Sequence, residues 1–255
     1  MATKLVIDTH NQRYRGYARR HGCVVLSLMI LAVVIPSART AAFGGLALAT
    51  AAYLAGLWAW GRELRTGGQW LPHAVTATRG VAAVVVLGLA AGLDDVVLDT
   101  SQRWMLLAVL AIVEATDLID GYLARRLPDG GSFGKTWDME CDAAFMVALV
   151  SASWLWAGTH VAVLAFGAMR YVYVSVCDRS IALPDPPARY ASFAKTVAAA
   201  SAVAVLFSLV PTVGPALRQA VLWTVLTALV ASFVWDALLQ APVHKQARQS
   251  RQSRG

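Results

Sequence analysis

Four aspartates carry the chemistry that this chain can do. They stand as Asp117 and Asp120, then Asp138 and Asp142, at spacings of three and four on either side of a short break. Gly121, Ala124, Arg125 and Gly134 lie among them. The surrounding stretches are apolar enough for a membrane, where a carboxylate costs at least about 2.5 kcal/mol. Four in one place need compensating charge, and two divalent cations would balance them. Carboxylate oxygens are hard ligands that suit Mg²⁺, Mn²⁺ or Ca²⁺. Two such ions can clamp a pyrophosphate and stabilise both the attacking and the leaving oxygen of a displacement.

The spacing says which elements must hold these residues. Asp117, Asp120, Gly121, Ala124 and Arg125 stand at i, i+3, i+4, i+7 and i+8, one stripe of a helix. Gly134, Asp138 and Asp142 stand at i, i+4 and i+8, a second stripe if Gly134 lies in the next helix. Pro128, Gly130 and Gly131 stop the first helix and turn the chain, which makes the two helices antiparallel neighbours. Facing stripes would gather the carboxylates into one cage just below the cytoplasmic surface. Glu114, three residues before Asp117, reads as a supporting carboxylate. Glu140 falls off the stripe and should face another helix or the interface. Carboxylates in a membrane also suit the ion path of a cation-coupled transporter. A proton path, however, gives no reason for a Gly and an Ala in register with Arg125, whereas a nucleotide lying against the helix does.

The pattern D-x2-D-G-x2-A-R-x8-G-x3-D-x3-D resembles the signature of the CDP-alcohol phosphotransferases, integral membrane enzymes that make phospholipids. The resemblance implies that Asp117, Asp120, Asp138 and Asp142 bind two metal ions, Mg²⁺ or Mn²⁺, and that Asp142 is also the general base. It implies that Gly121, Ala124 and Arg125 face the CDP group, with Arg125 on phosphate, and that Gly134 permits close helix approach. Leu71 to Arg79 is similar to the stretch that opens the family core, with His73 in place of an Asn. Thr76 is carried over as a nucleotide contact, and His73 reads as an interfacial side chain. Ser192 to Thr196 resembles a Lys-Thr stretch of many members: Lys195 and Thr196 match, Ser192 and Phe193 do not, and Arg189 stands near the missing cation. Arg79, Arg170, Arg189 and Lys195 are the candidates for the acceptor side of the site. The chain has Met139 after Asp138, where members that make phosphatidylglycerophosphate commonly have Pro.

Composition agrees with a membrane setting. Apolar residues make up 58% of the 255, charged residues 15%, and the net charge is +7. Spans near 20 residues, the length that crosses roughly 30 Å of hydrocarbon, recur along the chain. The expected fold is an all-α polytopic membrane bundle of about eight transmembrane helices. These run Cys23–Ser37, Ala41–Trp60, Ala74–Leu93, Trp104–Arg125, Thr136–Ala157, His160–Val176, Phe193–Val210 and Leu217–Leu239. An even number places both basic termini, and most Lys and Arg, on the cytoplasmic side, as the positive-inside rule expects. The division is a basic segment 1–22, two additional helices in 23–70, a six-helix core 71–240 and a basic, disordered tail 241–255. The two additional helices have only packing or homodimer contact as a role. Asp236, in the last span, has no motif context. Cys23, Cys141 and Cys177 have no paired spacing and suggest neither a disulfide framework nor a zinc site. The positive charge suits anionic lipid headgroups, with no nucleic acid implied.

The reading that follows is a phospholipid-synthesising transferase of the inner membrane with a cytoplasmic active site. It would move a phosphatidyl group from CDP-diacylglycerol to a small polar alcohol and release CMP. The cluster of basic candidates favours a phosphorylated acceptor, glycerol 3-phosphate first. The alternatives are a CDP-choline or CDP-ethanolamine:diacylglycerol phosphotransferase and, from another class, the cation-coupled transporter.

Overall fold

The computed structural model describes the backbone of residues 2–60, 70–93, 98–126, 131–176 and 188–252. It describes the side chains of residues 16–60, 73–93, 98–116, 134, 136–173, 190 and 192–239. Among the described residues every regular element is helical. The order is α1 (Ala2–Val34), α2 (Arg39–Trp60), α3 (Trp70–Gly92), α4 (Thr100–Arg126), α5 (Gly131–Ala157), α6 (Leu164–Val176), α7 (Ala188–Ser208) and α8 (Pro215–Gln252). Among the described residues five stretches are long and apolar enough to cross a membrane: Gly16–Val34, Pro36–Trp60, His73–Gly92, Thr136–Ala157 and Pro215–Leu239. Val161–Tyr173 and Ser192–Ser208 are shorter apolar helices. The protein is an integral membrane protein of the all-α class.

The helices outrun the apolar spans at both ends. α1 begins at Ala2 instead of near Cys23, and α8 passes Pro242 and ends at Gln252, where a disordered tail was expected. A polar segment that follows a formed helix extends it without a new nucleation cost, and Gln, Arg, Lys and Ala are good helix formers. Local sequence accounts for several helix ends. Asp99 and Gln102 form a reciprocal cap ahead of α4: Gln102 N–H donates to Asp99 Oδ1 (2.8 Å) and Asp99 N–H donates to Gln102 Oε1 (2.9 Å). Gly158 takes φ +63° just after α5, a left-handed stop that a side chain would strain.

α5 is the central helix. Of its span 72% is buried, against at most 44% for the other four long spans. It packs on α3, α6, α7 and α2, while α1 lies against α2 and α6. Glycine lets two of these contacts close up. A Cβ at Gly167 would lie 3.0 Å from the Val147 Cα, so α6 rides against the α5 backbone. A Cβ at Gly134 would lie 2.8 Å from His73 Cε1, so Gly134 opens room for an α3 side chain. His73 therefore sits buried in the α3–α5 seam and is not the interfacial residue expected.

At the far end from the aspartates Arg218 ties three elements together. It is buried, and its guanidinium donates to the carbonyls of Ala157, Val210 (3.3 Å) and Val213 (3.1 Å). The Ala157 carbonyl ends α5 and the other two lie in the turn between α7 and α8; a cation is favoured at such helix C-termini. Arg218→Met should remove these charge-assisted bonds, each worth about 1.5–3 kcal/mol, and lower the thermal midpoint by several degrees. The specific activity of the protein that stays folded should not change. A thermal scan and an assay of the same sample check both halves.

Candidate active site

Asp138 and Asp142 share one face of α5, and α3 brings Arg79 against it. One Arg79 nitrogen lies 2.6 Å from Asp138 Oδ1, and the other pairs with Asp142 Oδ1. Arg79 is 2% exposed, whereas both carboxylates are nearly half exposed. A planar guanidinium can span two carboxylates, which a point-charge ammonium cannot do. It also supplies charge that the two acids need in a low-dielectric span. Arg79 was expected on the acceptor side of the site. It lies within the His73–Gly92 span, fully covered.

The open sides of the two aspartates face a cavity of about 740 Å³. Its charged end holds Arg79, Asp138, Asp142, Glu114 and Lys195. Its apolar part is built from Ala111 and Ala115 of α4, Phe145, Met146 and Leu149 of α5, and Ala198, Ala199, Ala202 and Val203 of α7. Ala111, Ala115, Ala198, Ala199 and Val203 are exposed, so the apolar walls run out to the protein surface along α4 and α7. One end of the space thus suits a charged group and the other a hydrocarbon chain.

The expected site residues fall into four groups. Asp138, Asp142, Arg79 and Lys195 come together at the cavity, joined by Glu114. Thr76 is buried one turn before Arg79 on α3, and Gly134 lies one turn before Asp138 on α5. Trp137 Nε1–H donates to the His73 carbonyl at 3.1 Å and ties these turns together. Arg170 is held elsewhere: its guanidinium pairs with Glu140, which is 3% exposed on the α6 side of α5. The side chains of Asp117, Asp120, Gly121, Ala124, Arg125 and Arg189 lie outside the described residues, although α4 carries the first five and α7 the last. Asp236 accepts a hydrogen bond from the Tyr173 hydroxyl, which joins α8 to α6.

The apolar cavity wall was missed in the sequence. Its signal was present as small residues at helical spacing, Ala198, Ala199 and Ala202, but such a stripe usually means plain helix packing.

The profile of the CDP-alcohol phosphatidyltransferase family matches residues 69–234, about two thirds of the chain. The chain belongs to this family. The match starts just ahead of α3 and ends within α8, so α1 and α2 precede it. No curated protein and no solved structure matches the chain. As a CDP-alcohol phosphatidyltransferase family member, the protein is a membrane transferase, and the family reaction moves a phosphatidyl-type group from a CDP-alcohol to an acceptor.

Proposed function

We propose that the protein transfers a phosphatidyl group from CDP-diacylglycerol to a small polar alcohol and releases CMP. The observation that carries this reading is the two-ended cavity, with acids and cations at one end and apolar walls reaching the lipid-facing surface at the other. A CDP-linked lipid has the same division. Its nucleotide diphosphate belongs beside Asp138 and Asp142, and its acyl chains between α4 and α7. All eight helices cross the membrane in this reading, with both termini and the charged end of the cavity cytoplasmic.

Asp138 and Asp142 fit a metal-binding role, since both offer hard oxygens to an open cavity while Arg79 covers their other side. Asp117 and Asp120 complete the donor set, and Arg79 alone leaves that set strongly negative. Mg²⁺ or Mn²⁺ bound there would supply charge stabilisation at the pyrophosphate oxygens. Activity should therefore vanish after metal removal in excess chelator and return with Mg²⁺ or Mn²⁺. Full turnover in chelator would end the metal assignment.

The chain's own residues supply the rest. Gly121, Ala124 and Thr76 bind the nucleotide, and Arg125 holds phosphate. The acceptor hydroxyl gives its proton to Asp142, and its oxygen bonds to the phosphorus that bears diacylglycerol. The bond from that phosphorus to the bridging oxygen breaks, and CMP leaves with the electron pair. Lys195 at the rim of the cavity, with Arg189 near it in sequence, favours an acceptor that carries its own negative charge, glycerol 3-phosphate first. The deciding experiment offers purified, lipid-reconstituted protein radiolabelled CDP-diacylglycerol or CDP-choline, each with a panel of alcohols. CMP should appear with CDP-diacylglycerol and glycerol 3-phosphate. Release from CDP-choline with diacylglycerol instead would reverse donor and acceptor.

A further inference from the structure

α5 meets an arginine on each of two opposite sides, one buried and one partly exposed. Arg79 of α3 holds Asp138 and Asp142, and Arg170 of α6 holds Glu140. At about 100° per residue, Glu140 points roughly 180° away from the midpoint of the two aspartates. Arg170 does not line the cavity, whereas Arg79 does. The two helices that precede the family match pack on the helices that carry the Glu140 pair, α1 on α6 and α2 on α5. His21 of α1 is buried and stacks on Tyr53 of α2, with centroids 4.0 Å apart and planes 3° apart. The same His21 ring meets Tyr171 of α6 edge-on at 5.7 Å, and Tyr171 adjoins Arg170. His21 lies within electrostatic reach of Glu140. A ring cluster from α1, α2 and α6 therefore lies beside the Glu140–Arg170 pair, at the back of the helix that presents the aspartates.

We propose that Glu140 and Arg170 form a positioning clamp that fixes the rotation of α5 and so aims Asp138 and Asp142, and that α1 and α2 hold the clamp closed. The physical need is angular. A carboxylate about 5–6 Å from the helix axis moves about 1 Å for a rotation of roughly 10°. A misplacement of that size can cost on the order of 10²-fold in rate. Arg79 does not set this angle alone, because it engages the face that substrates must reach. An ion pair on the opposite face holds α5 without entering the cavity. The additional helices thereby gain a part in catalysis, acting through Tyr171, Arg170 and Glu140 without touching substrate. This inference rests on the proposed roles of Asp138 and Asp142.

Cys141 reports the rotation without any assay of turnover. It is fully buried, and its Sγ lies 3.3 Å from where a Gly80 Cβ would stand, in the α3–α5 seam. Turning α5 would uncover it. The experiment uses the full chain with Cys23→Ser and Cys177→Ser, labelled by N-ethylmaleimide. It compares the parent with the paired Glu140→Leu/Arg170→Met variant, which leaves no orphaned charge and should fold. Expected are at least about tenfold faster labelling of Cys141 and at least about tenfold lower kcat, with both KM values within about twofold. His21→Ala leaves the ion pair in place and should shift both readings in the same direction by about threefold, and His21→Phe, which keeps the stack, should restore them. Protected Cys141 with native kcat in the paired and His21→Ala variants overturns the clamp. So does a rise in acceptor KM alone, which would make Arg170 a substrate contact. If the parent releases no CMP from any CDP-linked substrate, the reading of the aspartates fails, while the labelling comparison still decides the clamp.

Discussion

Asp142→Asn should abolish turnover and leave CDP-diacylglycerol binding measurable. Asparagine keeps the size of the side chain and an oxygen that can accept from Arg79, so the α3–α5 seam should survive. The amide cannot take up the acceptor proton at neutral pH. Loss of a positioned base typically costs 10²–10⁴-fold, and a drop of about 10³-fold in kcat is expected here. The proposed donor contacts on α3, α4 and α7 are untouched, so the affinity for labelled CDP-diacylglycerol should fall much less than kcat. The informative comparison is Asp138→Asn, which should weaken metal activation while retaining some turnover at saturating Mg²⁺. Near-native kcat in Asp142→Asn would refute its role as base.

Arg79→Met should be the second most damaging change, though Arg79 transfers no proton. Methionine fills much of the same buried space but brings no cation. Asp138 and Asp142 would then lose the cation that bridges them, and breaking a buried pair costs about 3–5 kcal/mol. The half-exposed carboxylates can recover part of that from water, so a loss near the lower end is expected. The kcat should fall by about 10²-fold, because the aspartates no longer share a fixed partner. Arg79→Lys should lie between, since an ammonium cannot span both acids. Divalent cation should raise the thermal midpoint of Arg79→Met more than that of the native protein, by replacing the missing charge. Equal midpoints and equal kcat for Arg79→Met and the native protein would show that the bridge has no role.

Much of the architecture is written in one dimension. Hydropathy marks the long spans, because crossing hydrocarbon requires a run of apolar residues with every backbone group bonded inside a helix. The period of 3.6 places Asp138 and Asp142 on one face and Glu140 off it, before any coordinate is known. The family motif lies in the same stretch, so the reaction class was legible as well. Helix ends were less legible: α1 and α8 extend through basic, polar sequence that no hydropathy window marks.

Partners across helices were decided only by packing. Arg79 and Arg170 both looked like acceptor contacts; Arg79 is the bridge between two aspartates, and Arg170 is held by Glu140. Nothing near either arginine in sequence distinguishes these outcomes. They depend on the rotation and approach of α3, α5 and α6, which Gly134 and Gly167 permit through contacts with His73 and Val147 on other helices. The apolar cavity wall likewise needs α4 and α7, far apart in the chain, to stand side by side with α5. A helix by itself specifies which residues share a face. Which neighbour that face meets is settled by the joint close packing of all the helices, and that information is spread over the whole chain.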